Sequence, residues 1–222
     1  MDYIQSILPE LLSGTKMTLG IFALTLVCSI PLGMILALLM NSRIKPLKWI
    51  LNVYVWLMRG TPLLLQLIFV FYGLPLLKFA VGGYVFSFTM SRFGSALFAF
   101  ILNYTAYFAE IFRGGIQSIP RGQYEAAKVL RLSRWQTARK IVIPQVIKIV
   151  LPSVGNEVIN LVKDSSLVYV VGLGDLLKAG KIAMSRDVTL LPLILVGMIY
   201  LAMTAVFTFI LKHLEKHYQY YK

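Results

Sequence analysis

Residues 17–40 read MTLGIFALTLVCSIPLGMILALLM, a stretch without one charged side chain. A helix needs roughly 20 apolar residues to cross a hydrocarbon core of about 30 Å, so this run is long enough to span a bilayer. Residues 188–211, VTLLPLILVGMIYLAMTAVFTFIL, repeat the pattern. Gly60 to Leu77 and Phe93 to Ala109 are shorter uncharged runs that reach the required length with their flanks. In lipid every backbone N–H and C=O must be satisfied within the protein, so these runs are expected to be helices. The short alternating segments of a transmembrane barrel are not visible.

Working outward, composition agrees. Of 222 residues, 58% are apolar and only 14% charged, and the mean hydropathy is +0.76. A soluble domain usually carries about 25% charged residues. The expectation is an all-α polytopic membrane protein, one transmembrane domain over residues 1–222. It has five spans at about 17–40, 50–77, 93–113, 143–171 and 188–211. Pro144, Pro152 and Gly155 interrupt the fourth, which also carries Glu157, Lys163 and Asp164. Met1 to Thr15 holds Asp2 and Glu10 but no basic residue, unlike a cleaved signal, so the first run is expected to stay. Cys28, the single cysteine, reads as a small apolar filler.

The net charge of +13 sits between the spans, which argues against nucleic acid as a partner and for the positive-inside rule. With the N-terminus outside, the outer segments hold Lys16, Lys78, Arg92, Lys178, Lys181 and Arg186. The inner segments hold Arg43, Lys45, Lys48, Arg113, Arg121, Lys128, Arg131, Arg134, Arg139, Lys140, Lys148, Lys212, Lys216 and Lys222. Six basic residues outside against fourteen inside place the C-terminus in the cytoplasm.

The loop at about 114–142 is too polar to cross the membrane. Pro120 can open a helix, since its missing N–H would be unpaired there anyway, and Gln123 to Leu130 reads as that helix. Ser133 followed by Gln136 fits a capping box, so a second helix is expected to start there. The run Glu125-Ala126-Ala127, continuing through Ser133 to Ile141-Val142-Ile143-Pro144, resembles the EAA loop of ATP-binding-cassette importer permeases, roughly E-A-A-x3-G-x9-I-x-L-P. Arg131 stands where that family has glycine. A glycine there would supply a positive φ between the two helices, which costs another residue on the order of 1 kcal/mol.

Two further motifs are similar to the polar amino-acid branch of that family, the histidine, glutamine and arginine type. They are Arg59-Gly60-Thr61-Pro62-Leu63-Leu64-Leu65-Gln66 and Tyr107-Phe108-Ala109-Glu110-Ile111-Phe112-Arg113-Gly114-Gly115. The resemblance runs from about residue 17 to 215 and implies the type I importer permease fold in a bacterial inner membrane. It implies the transmembrane subunit of an amino-acid importer, paired with a second permease, the same or homologous. Two cytoplasmic ATPases would hold ATP and Mg and dock on the loop through Glu125, Ala126, Ala127, Arg131 and Ser133, and an extracytoplasmic binding protein would deliver the solute.

Ionisable residues within a span point to function. Glu157 and Asp164 lie seven apart on one helical face with Asn160 between them, followed by Ser165. Such a wall can meet an α-ammonium with carboxylates and a substrate carboxylate with hydroxyls or helix-end N–H groups. Lys163, Asn103, Gln66 and Arg59 are further candidates, with helix packing as the other reading of Asn103 and Gln66 and snorkelling that of Arg59. Glu110 and Arg113, three apart, are expected to pair. No nucleophile–base constellation stands out, so the chain is not read as an enzyme. His213 and His217 have no companion ligand, and a metal site is not expected. Gly174 to Lys181 lacks the spacing and the Ser/Thr of a phosphate loop. The alternative to an ATP-driven importer is a secondary amino-acid transporter driven by an ion gradient, suggested by the ionisable residues of the fourth span.

Overall fold

A computed structural model describes residues 2–81 and 84–218; Met1 and Lys222, used above at the two ends, lie outside them. Helix α1 runs from Asp2 to Met40, through Pro9 and Pro31. It therefore begins well before the expected position 17. Its first turns carry Ile7 and Leu11, both fully buried against Leu176, Ala183 and Val196. The polar N-terminal half is held by that packing, which hydropathy does not see.

The second span is not one helix. Helix α2, Lys45–Gly60, and helix α3, Leu63–Ile68, meet at a bend of 105°. Beyond α3 the coil continues as a π turn at Phe69–Gly73 and a 3-10 turn at Leu74–Leu76. The cause is local. Pro62 has no N–H to donate and biases Thr61 toward extended backbone, and Thr61 sits at φ −117°, ψ 144°. A two-stranded hairpin follows, β1 Lys78–Val81 paired antiparallel with β2 Tyr84–Ser87. It is the one departure from the all-helical expectation among the described residues.

Helix α4, Arg92–Gln117, is the centre of the molecule. Its apolar window is 61% buried, against 6% in the last helix, α9, Leu191–Tyr218, so α4 is a core element and α9 a peripheral one. Phe100, Tyr104, Phe108 and Phe112 repeat every four residues along α4 and are buried, forming one stripe that faces its neighbours. Gly33 of α1 lets the two helices close up. A Cβ there would stand 2.6 Å from Phe108 Cβ and 3.0 Å from the Ala109 nitrogen.

The loop at 114–142 forms as its residues dictate. Helix α5, Arg121–Val129, follows Pro120. Helix α6, Arg134–Thr137, starts on the expected capping box, with Gln136 N–H donating to Ser133 Oγ at 3.2 Å and Ser133 N–H to Gln136 Oε1 at 2.8 Å. A π turn at Ala138–Val142 joins α6 to α7, Ile143–Asp164, so the fourth apolar stretch is helical from Arg134, not from 143. A 3-10 segment, Ser165–Val171, and Gly172 at φ 78° turn the chain into α8, Leu176–Asp187, a helix hydropathy did not reveal. Asp175 caps it, accepting from the N–H groups of Leu177 and Lys178. Burial pushes that carboxyl up to about 6, with both N–H groups pulling it back down. Among the described residues four helices are long and apolar enough to cross a membrane, and five spans result if the bent pair counts as one.

Candidate functional site

The bend at Thr61-Pro62 opens a cavity of about 540 Å³. Arg59 and Gly60 of α2, Leu63 of α3, Asn103, Tyr104 and Tyr107 of α4, and Glu157, Asn160 and Asp164 of α7 line it. Three elements far apart in sequence thus put one cation, two carboxylates and two amides around one space.

Five of the eight residues expected on a substrate path meet here: Arg59, Asn103, Glu157, Asn160 and Asp164. The seven-residue spacing of Glu157 and Asp164 does place both on the cavity face of α7. Three residues are elsewhere. Ser165 is fully buried and donates to the Val162 carbonyl at 2.6 Å. Lys163 is exposed and not on the cavity wall. Gln66 lines a separate, apolar cavity of about 370 Å³ with Leu57, Met58, Phe69 and Phe98.

Tyr104 and Tyr107 were not anticipated. Tyr104, 2% exposed, donates its hydroxyl to Asp164 Oδ2 at 2.7 Å. It ties α4 to the end of α7 and leaves Asp164 Oδ1 toward other partners. The Arg59 guanidinium lies 5.3 Å from the Tyr107 ring centroid, a cation–π distance. The signal was present in the sequence: Tyr104 and Tyr107 share a face with Asn103 and precede Glu110 by one to two turns. Only the packing says what they face.

Arg59 also lines a second cavity toward Glu110 and Arg113, and its guanidinium stands 4.0 Å from Glu110. Glu110 and Arg113 form the expected pair, with Arg113 Nε donating at 2.9 Å. Arg113 goes on to Gln117 at 3.0 Å, and Gln117 to Asn41 at 3.2 Å. Arg59 is thus shared between the first cavity and this polar cluster.

The bend itself is stitched by side chains. Thr61 Oγ1 donates to the Leu57 carbonyl at 2.8 Å. Gln66 Nε2 donates to the Met58 carbonyl and to Thr61 Oγ1, both at 2.8 Å, with the Thr61 carbonyl 3.1 Å away. Asn103 Nδ2 donates to the same Met58 carbonyl at 3.1 Å and to Gln66 Oε1 at 3.0 Å. The Leu57 and Met58 carbonyls, in the last turn of α2 where intrahelical donors run out, are satisfied this way.

In the 114–142 loop, Glu125 and Ala126 are exposed while Ala127 is buried against the body. Arg131 adopts φ 52°, the conformation a glycine would supply. Its N–H donates to the Lys128 carbonyl and that of Leu132 to Ala127, which closes α5 as a Schellman motif. Val129, Leu130 and Trp135 are 83%, 69% and 68% exposed, an apolar surface beside Glu125 that the motif does not advertise.

Residues 29–220 match the family model described as "Binding-protein-dependent transport system inner membrane component". The chain is 37% identical over 210 residues to the arginine transport system permease protein ArtQ of Bacillus subtilis (strain 168), covering 94% of this chain and 92% of that one. It is 30% identical over 220 residues to the putative glutamine transport system permease protein GlnP of Rickettsia typhi (strain ATCC VR-144 / Wilmington), covering 97% of each. Among solved structures, a chain of an amino acid ABC transporter with histidines superposes with a TM-score of 0.85 at 35% identity, covering 97% of both chains.

Proposed function

This chain belongs to the binding-protein-dependent transport system inner membrane components, and on that premise we propose that the cavity between α2, α4 and α7 holds the amino acid it passes across the membrane. The chain is the multi-pass transmembrane subunit of an ATP-driven amino-acid importer. One observation carries the cavity reading: the cation Arg59 comes from α2, the carboxylates Glu157 and Asp164 come from α7, and the amides of Asn103 and Asn160 line the same cavity. An α-amino acid is a zwitterion and needs that division. The carboxylates meet the ammonium and Arg59 meets the carboxylate, while Asn103 and Asn160 supply further hydrogen-bonding groups to the same cavity.

Energy comes from outside the chain. Two cytoplasmic ATPase subunits, carrying ATP and Mg, dock on α5 and α6. Exposed Glu125 meets a basic residue there, and Val129, Leu130 and Trp135 supply the apolar contact. A second permease subunit completes the pore, and an extracytoplasmic binding protein delivers the solute. The basic-residue count supports an outside N-terminus and a cytoplasmic C-terminus in a bacterial inner membrane. When the ATPases close, the loop moves with them and the cavity changes the side it opens to.

The cavity reading is tested on the reconstituted complex. Asp164→Asn is expected to lower amino-acid affinity at least tenfold while ATP hydrolysis persists; unchanged uptake would sink the assignment. Docking is tested separately. Glu125→Arg is expected to leave membrane insertion intact and to abolish ATP-driven uptake, and full transport by that variant would overturn the docking surface.

A further inference from the structure

Two primary amides, Gln66 and Asn103, sit side by side at the bend, and a backbone atom decides how both are turned. A carbonyl oxygen can only accept. The Met58 carbonyl lies 2.8 Å from one end of the Gln66 amide and 3.1 Å from one end of the Asn103 amide. Both of those ends are therefore nitrogen. The Thr61 carbonyl, 3.1 Å from the same Gln66 atom, repeats the requirement. With Nε2 so assigned, the other end of Gln66 is Oε1, and it accepts the second Asn103 N–H at 3.0 Å.

Both Nδ2 hydrogens of Asn103 are then used, one on Met58 and one on Gln66. Asn103 is 4% exposed and lines the 540 Å³ cavity, whereas Gln66 lines the apolar cavity behind it. What Asn103 has left for the polar cavity is Oδ1, an acceptor.

We propose that Gln66 is a positioning residue of the transport site: it locks the Asn103 amide so that Oδ1 is presented to the α-ammonium group of the transported amino acid, without touching that amino acid itself. The proposal rests on the cavity being the amino-acid site. It accounts for the glutamine four residues after Pro62 by chemistry. One primary amide donates twice, to Met58 and to Thr61 Oγ1, and accepts once from Asn103. A glutamate there has no N–H to donate and a leucine has neither function. Without Gln66 the Asn103 amide keeps only its bond to the Met58 carbonyl, so it is held at one point instead of two and turns more readily to offer N–H donors, which repel an ammonium.

The experiment uses the full complex purified in detergent without the binding protein. Equilibrium binding of L-arginine, L-histidine and L-glutamine is measured, each beside its analogue lacking the α-amino group. Wild type, Gln66→Met, Asn103→Ala and the double variant are compared. Gln66→Glu, which keeps the size and the acceptor but loses both donors, serves if the methionine variant fails to assemble. The expected result is that Gln66→Met lowers the preference for the amino acid over its des-amino analogue by about tenfold, the weight of one hydrogen bond to a charged group. The analogue's own affinity stays as in wild type, and the double variant loses no more than Asn103→Ala alone. Equal weakening of amino acid and analogue would reduce Gln66 to a structural support and overturn the inference, as would additive losses in the double variant. If wild type binds none of the three amino acids, the cavity reading falls and takes the inference with it. If wild type binds and Gln66→Met is indistinguishable from it, only the inference falls.

Discussion

Two of the molecule's helix breaks are made by different means. At Thr61-Pro62, within an apolar run, the freed carbonyls of α2 are taken up by the side chains of Thr61, Gln66 and Asn103. At Leu130-Arg131, on the exposed 114–142 loop, the end of α5 is closed by backbone alone, and a non-glycine residue at φ 52° completes it. The difference follows from the surroundings. Hydrocarbon offers no hydrogen bond to an orphaned carbonyl, so polar side chains must be provided. In water an unfilled acceptor is solvated, and an exposed arginine can take a left-handed conformation at a cost of order 1 kcal/mol. A bend within the membrane therefore places polar groups there, and this one has a polar cavity beside it.

The contrast can be broken most directly at Thr61. Thr61→Val keeps the shape but removes the donor to Leu57 and the acceptor for Gln66. The expected loss is about 1–2 kcal/mol, the cost of leaving such groups unpaired, visible as a lower melting temperature of the purified complex together with weaker amino-acid binding. Unchanged melting would mean that the bend does not depend on its side chains. A smaller effect of opposite sign is expected at the loop. Arg131→Gly relieves the positive φ and should stabilise the complex by up to about 1 kcal/mol, with ATP-coupled uptake retained. Destabilisation there would show that the arginine side chain makes a contact that outweighs its backbone strain.

The smallest effect belongs to the surface cluster joining the start of α1 to the end of α8. Arg186 pairs with Asp187 at 2.9 Å and with Glu10 at 3.1 Å, and Tyr3 donates to Asp187 at 2.7 Å. The hydrogen bond from Arg186, then that from Tyr3, holds the Asp187 carboxyl below its ordinary value. Because the folded value is the lower one, this contribution is present above about pH 4, the ordinary carboxylate range, and is lost as the pH falls through the depressed value. Water screens so exposed a cluster. Asp187→Asn should be nearly silent in a melting experiment at pH 7 and should flatten only the acid limb of the stability profile. A large loss at pH 7 would contradict the view that exposed contacts matter less here than those at the bend.

What was legible in the sequence was local. The capping box at Ser133 and Gln136 and the helix after Pro120 depend on residues a few positions apart, and both formed, the helix starting two residues before Gln123. At Arg131 the sequence left open whether the residue takes a strained positive φ or the turn is built differently, and the structure has φ 52°. The pairing of Glu110 with Arg113 and the shared face of Glu157 and Asp164 are likewise consequences of helical spacing. Hydropathy located the apolar runs but not their limits, because the amphipathic starts of α1 and α6 and the whole of α8 are helices held by neighbours. It also read residues 50–77 as continuous, although Thr61-Pro62 carried the signal for a break.

The sequence by itself determined the membrane class, the basic-residue asymmetry and the helices of the 114–142 loop, since composition and short-range hydrogen bonding decide those, and its motifs carried the resemblance to the importer permeases. Only the tertiary structure decided that Asn103 faces the polar cavity while Gln66 stands behind it, and that Tyr104 meets Asp164. Those residues are 37 and 60 positions apart, and their roles depend on which side of a packed helix each one reaches.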